Sequence, residues 1–156
     1  MSKDYRTAFS EAVSNILSQF GMAEISLKEV IGCGKNIDAS GVVCIVGVFG
    51  DLTGNVIFSM SEDGAKGIAS CMMGGMEIEA FDEIAQSAIS ELGNMLAANA
   101  CIGLSEMGLE ADISTPTLMQ GIFTLSGNYE KANRISMDAD GIDFDVIVSL
   151  EERGQK

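Results

Sequence analysis

Glu91 and Asn94, three residues apart in the run 87–99 (SAISELGNMLAAN), are the side chains best suited to chemistry in this chain. A carboxylate supplies charge and an acceptor, whereas a side-chain amide both donates and accepts hydrogen bonds. At i, i+3 on a helix the two project side by side. The rest of the composition narrows what they can do. The chain has no histidine, so Ser-His and Cys-His nucleophile pairs, histidine bases and histidine-ligated metals are excluded together. Cys33, Cys44, Cys71 and Cys101 are scattered with no CxxC spacing, which supports neither a zinc site nor a thioredoxin-like motif. They read as small buried thiols in a reducing compartment. Chemistry must therefore come from carboxylates, amides or hydroxyls.

The 156 residues suit one domain, with 47% apolar residues to build its core. That domain is expected over 1–150, with a frayed tail at 151–156. Nine Lys and Arg against 23 Asp and Glu give a formal charge of −14, which repels nucleic-acid backbones and anionic lipid and favours a basic protein partner. No apolar run approaches the roughly 18 residues of a membrane span, and the charged start MSKDYRTAFSEAV lacks the apolar core of a signal peptide. A soluble, cytoplasmic protein is expected.

The elements that must carry the pair follow from periodicity. Residues 5–20 place Tyr5, Phe9, Ala12, Val13, Ile16 and Phe20 on one helical face. A strand is expected over 23–31, then a Gly-rich connection, GCGKNIDASG, whose order fits neither the P-loop nor GxGxxG and reads as a plain turn. GVVCIVGVFGD and GNVIFSMS form a hairpin across DLT, and a short helix at 62–73 ends at GG. A long helix spans 81–107 and stops at Gly108. After EADISTP come TLMQGIFTLS, KANRISMD and IDFDVIVSLEE, the last two joined by ADG, a hairpin turn. The expected class is α+β, an antiparallel sheet of about six strands covered on one face by helices.

Angles along the long helix separate two faces. Phe81, Ala85, Ala88, Ile89, Leu92, Met95, Leu96 and Asn99 cluster roughly 100° from Glu91, whereas Ser87, Glu91, Asn94 and Ala98 lie together opposite them. Asn99 falls in the apolar stripe and reads as a satisfied amide holding a neighbouring loop. Gly93 weakens the helix by up to about 1 kcal/mol relative to alanine, which implies close approach by something.

Ser87-x-x-x-Glu91-x-x-Asn94 resembles the [D/S]xxxExxN signature of the CheC/CheX/FliY family, phosphatases of the chemotaxis response regulator CheY. ELGNMLAANA, GLEADISTPT and the order of elements are similar to the CheX branch. CheC-like members carry the motif on two helices; here the first helix offers only Glu11, Ser14 and Asn15, in a broken register. The resemblance implies helices on an antiparallel sheet, a homodimer with one site per subunit, and a phosphorylated CheY-like regulator as partner. It implies no cofactor held by this chain, with Mg²⁺ in the regulator's site. Asn94 would position the attacking water and Glu91 would pair with the regulator's lysine. Ser87, Gly93 and Ala98 would contact the partner, Gly93 by letting it approach closely.

Two other patches invite a role. Met72, Met73 and Met76 beside the long helix fit core filling or an adaptable binding surface. The acidic stretches EIEAFDE and DADGIDFD read as solvated turns, because they lack a ligand pattern such as the EF-hand's. Rival readings of the whole chain are a non-catalytic adaptor or flagellar-switch-like module, and a dimeric scaffold in which the motif is structural.

Overall fold

In the computed structural model, which describes residues 5–34, 36–126 and 132–152, the β-branched runs pair as one antiparallel sheet. Its strands are β1 (Ile25–Gly32), β2 (Asn36–Gly50), β3 (Leu52–Met60), β4 (Ala111–Ile113), β5 (Thr117–Ser126), β6 (Asn133–Ala139) and β7 (Ile142–Glu152). The order is β1-β6-β7-β3-β2-β4, with β5 pairing the first part of β2. The expected ADG hairpin joins β6 to β7: Asp140 (φ 50) and Gly141 (φ 88) both take the left-handed conformation of a type I′ turn.

Three helices cover one face: α1 (Arg6–Gln19), α2 (Glu62–Met72) and α3 (Glu83–Glu106). Three of their boundaries have a clear local cause. Ser61 caps α2 by accepting from Gly64 N at 2.9 Å, and Asp82 caps α3 by accepting from Ala85 N at 3.1 Å. At the far end of α3, Leu109 N donates to Leu104 O at 2.9 Å and Gly108 N to Ser105 O at 3.0 Å, a Schellman stop over Gly108. The helices meet a core built from alternate strand residues, among them Val42, Cys44, Val46, Phe58, Phe144 and Val146. Burying a side chain such as Leu92 or Leu96 there contributes about 2 kcal/mol.

The sheet departs from the expected one in three places. Seven strands form among the described residues where about six are expected, because β4 has only three residues and too few for a period to show. Most of GCGKNIDASG is not a turn: residues from Asn36 onward begin β2 and pair with β5, while Lys35 lies outside the described residues. Ile37 and Ala39 are buried while Asp38 and Ser40 are exposed, so a strand period was present under a Gly-rich surface. These two join Val43, Ile57, Ala132 and Ile147 in a second small cluster on the face away from the helices. Finally, the domain runs past residue 150, since Glu151 and Glu152 pair with Thr53 and Leu52. The rest of the expected tail, 153–156, lies outside the described residues.

Candidate active site on helix α3

Helix α3 crosses the sheet at β2 and β4 and leaves one flank open to a groove of about 810 Å³. Glu83, Gln86, Ser87, Ser90, Glu91 and Asn94 form the helix wall, and the segment 113–118 forms the other. The sequence brings Ser87, Glu91 and Asn94 to one side, and the structure keeps them there. Ser87 and Glu91 are exposed and Asn94 is half-buried. Among the described residues, neither the Glu91 carboxylate nor the Asn94 side-chain amide has an intramolecular hydrogen bond or ion pair. A charged acceptor and a bifunctional amide therefore face the same open space with their bonding capacity unspent.

The buried direction of α3 is rotated from the one expected. With Glu91 at zero, Ala85, Ile89, Leu92, Gly93, Leu96, Ala97, Ala100 and Leu104 average roughly 170°. Glu91 thus stands almost opposite the buried face of the helix, and Gly93 belongs to that packed face. This corrects the expectation that Gly93 meets a partner. A Cβ at that position would run into Cys44 Sγ, and would lie 3.6 Å from Cys44 Cβ and 3.9 Å from Phe58 Cδ2. The close approach that Gly93 permits is that of β2 within the same chain. Ala98, by contrast, is exposed on the ridge of Glu91.

Asn99 is half-buried rather than fully enclosed, and its Oδ1 accepts from Asn15 Nδ2 at 3.2 Å. It ties α3 to helix α1, not to a loop. The same bond occupies the amide of Asn15, the first helix's counterpart to the motif. Of the methionines, Met72 packs on the core while Met76 is 61% exposed. The acidic stretches do more than meet solvent. Asp140 accepts from the backbone N–H of Ala23 (3.1 Å) and Glu24 (2.7 Å), Lys28 pairs with Asp143, and Asp82 caps α3. Burial pushes the Cys44 thiol up to about 11, and also raises Cys33 and Cys101.

Residues 42–140 match the family described as Chemotaxis phosphatase CheX. The chain belongs to that family. A CheY-P phosphatase CheX of Thermotoga maritima is 42% identical over 80 residues, which are 51% of this chain and 52% of the relative. The chain thus spans about half the length of the curated relatives that it matches. The fold is that of a chemotaxis protein CheX from Vibrio vulnificus, with TM-score 0.84 at 19% identity over 96% of this chain and all of that one. It is also that of the CheX in a CheX-CheY-BeF3-Mg²⁺ complex from Borrelia burgdorferi, with TM-score 0.74 at 24% identity over 96% and 99%. The matched region holds all of α3 and the groove.

The second wall of the groove, with Ser114 and Thr115, was not among the expected site residues, and neither were Gln86 and Ser90. The only proline, in the STP of 114–116, marked an abrupt change of direction. Nothing in its spacing placed it across from a helix that ends several residues earlier.

Proposed function

We propose that this chain hydrolyses the aspartyl phosphate of a phosphorylated CheY-like response regulator. The observation that carries the reading is the free Glu91 and Asn94 pair on the open side of α3, in a member of the CheX family. The Thermotoga maritima relative is named a CheY-P phosphatase, and the Borrelia burgdorferi CheX is held in a complex with CheY. In the reaction, water oxygen attacks phosphorus in line, the bond from phosphorus to the aspartyl oxygen breaks, and aspartate and inorganic phosphate are released. An amide suits the water: its carbonyl accepts a hydrogen bond from that water while its NH₂ can donate one to a phosphoryl oxygen. Asn94 takes this part. Glu91, one turn away and more exposed, pairs with a lysine of the regulator and sets the register of docking. Ser87 and Ala98 touch the regulator's edge.

Among the described residues no three carboxylates or thiols come together as a metal site. In this reading the Mg²⁺ that offsets phosphoryl charge is held in the regulator's own site, and no step depends on a ligand from this chain. The same reading makes the chain a cytoplasmic homodimer. The exposed edge strands supply the surface for it: β1 carries Leu27, Val30 and Ile31, and β5 carries Ile122, which is 89% exposed. No helix among the described residues is long and apolar enough to cross a membrane.

The test is decay of a ³²P-labelled regulator with Mg²⁺ present, with and without the chain. Faster phosphate release is expected, with Glu91→Ala weakening docking as well as turnover. Binding without faster release would make the chain an adaptor or switch-like module instead. Sedimentation of the free chain at monomer mass would remove the dimer.

A further inference from the structure

The wall of the groove facing α3 is a short connection between a three-residue strand and an edge strand, and the three-residue strand that leads into it is fastened at both ends. At Glu110, Asp51 N donates to Glu110 O and Glu110 N donates to Asp51 Oδ2, each at 2.8 Å. Further along, Ser114 N donates to Gly47 O and Gly47 N donates to Ser114 Oγ, each at 2.9 Å. The second clasp depends on residue 47 having no side chain, because a Cβ there would lie 2.8 Å from Ser114 Oγ. Pro116 follows directly, and its ring fixes φ. Between clasp and proline stands Thr115, exposed, its residue lining the groove opposite Asn94. A loop that serves only as a connection does not require this rigidity, whereas a wall against which a partner is seated does.

We propose that the strap 114–116 is a second docking surface of the site. Thr115 contacts the regulator's main chain beside the phosphorylated aspartate, and Ser114 is the positioning residue that holds Thr115 at fixed depth. The inference rests on the reading that a phosphorylated regulator enters this groove. Its chemistry follows from desolvation. A regulator loop pressed against α3 loses water from its peptide groups, and each group left unpaired weakens the complex. Helix α3 offers Asn94 and Glu91 to the phosphoryl site itself, so the peptide groups beside it need another partner. A threonine hydroxyl serves either a peptide N–H or a C=O, because it both donates and accepts.

Initial rates on the phosphorylated regulator, and equilibrium binding of the beryllofluoride-charged regulator, test this in wild type, Asn94→Ala, Ser114→Ala, Ser114→Thr, Thr115→Val and Gly47→Ala. Ser114→Ala and Thr115→Val are expected to raise KM, and to weaken beryllofluoride-complex binding, about fivefold with little change in kcat. Ser114→Thr keeps the hydroxyl and should recover most of the loss. Gly47→Ala attacks the same clasp from β2 and should reproduce Ser114→Ala. If Ser114→Ala and Thr115→Val keep wild-type KM and binding while Asn94→Ala is inactive, the strap is only structural and the proposal fails alone. A fall in kcat and melting temperature with KM unchanged leads to the same conclusion. A wild type that neither binds nor dephosphorylates the regulator removes the functional reading and the strap proposal with it.

Discussion

Asn94 and Asn99 are the same residue type on the same helix, and both are half-buried, but their amides meet different fates. Asn99 Oδ1 is taken by Asn15 Nδ2, across the packing of α1 on α3. Asn94 has no intramolecular partner among the described residues and borders the groove. The contrast separates an amide spent on structure from one kept available. Proximity of letters does not make the distinction, since both belong to the same run of thirteen residues. The third member of the comparison is Gly93, next to Asn94 in sequence but roughly 100° round the helix on its packed face, where its missing side chain admits Cys44.

The widest separation should come from Asn94→Ala. Loss of a water-positioning amide is expected to slow dephosphorylation roughly 10²-fold, about 3 kcal/mol, with the urea midpoint unchanged. A shifted midpoint with an intact rate would invert the assignment. Next in size, Gly93→Ala should destabilise the fold by about 1 to 2 kcal/mol, overpacking against Cys44 outweighing the gain in helix propensity. Urea unfolding checks it, and adding Cys44→Ala should relieve part of the loss, because the new methyl would then meet only ordinary contacts, the residue 44 Cβ at 3.6 Å and Phe58 Cδ2 at 3.9 Å. Additive losses would mean that the two do not meet. Asn99→Ala should lower stability by about 1 kcal/mol while kcat/KM stays at the wild-type value; a drop in kcat/KM of Asn94 size would erase the contrast. The smallest effect concerns Cys44 itself. With its thiol pushed up to about 11 by burial, the reactive thiolate is scarce at neutral pH. Under native conditions a maleimide should label Cys44 only as fast as the protein opens.

Much of the α3 face was legible before any tertiary contact. The 3.6-residue period separates Glu91 and Asn94 from Leu92 and Leu96, and the Gly108 stop is a local event. The direction of burial was legible only approximately. Alanines and glycine carry little weight in an apolar count, and here Ala85, Gly93, Ala97 and Ala100 are four of the helix's eight buried residues. That is why Gly93 read as a partner contact and proved to be a packing contact. Strand positions with clear alternation were equally legible, as in β7, whereas the first residues of β2 hid their alternation among small and polar side chains. The acidic turns looked solvated because a carboxylate's backbone partner can lie far away in sequence, as Ala23 and Glu24 do for Asp140.

By itself the sequence determined the chemistry on offer. Without histidine and with scattered cysteines, it left a carboxylate and an amide on the polar side of an amphipathic helix, which are properties of residue type and local period. Only the tertiary structure decided which amide is free, which glycine is buried, and that the strap 114–116 stands across from Asn94. Those are relations between segments distant along the chain, and they exist only once β2, through Gly47 and Cys44, has met both the strap and the helix.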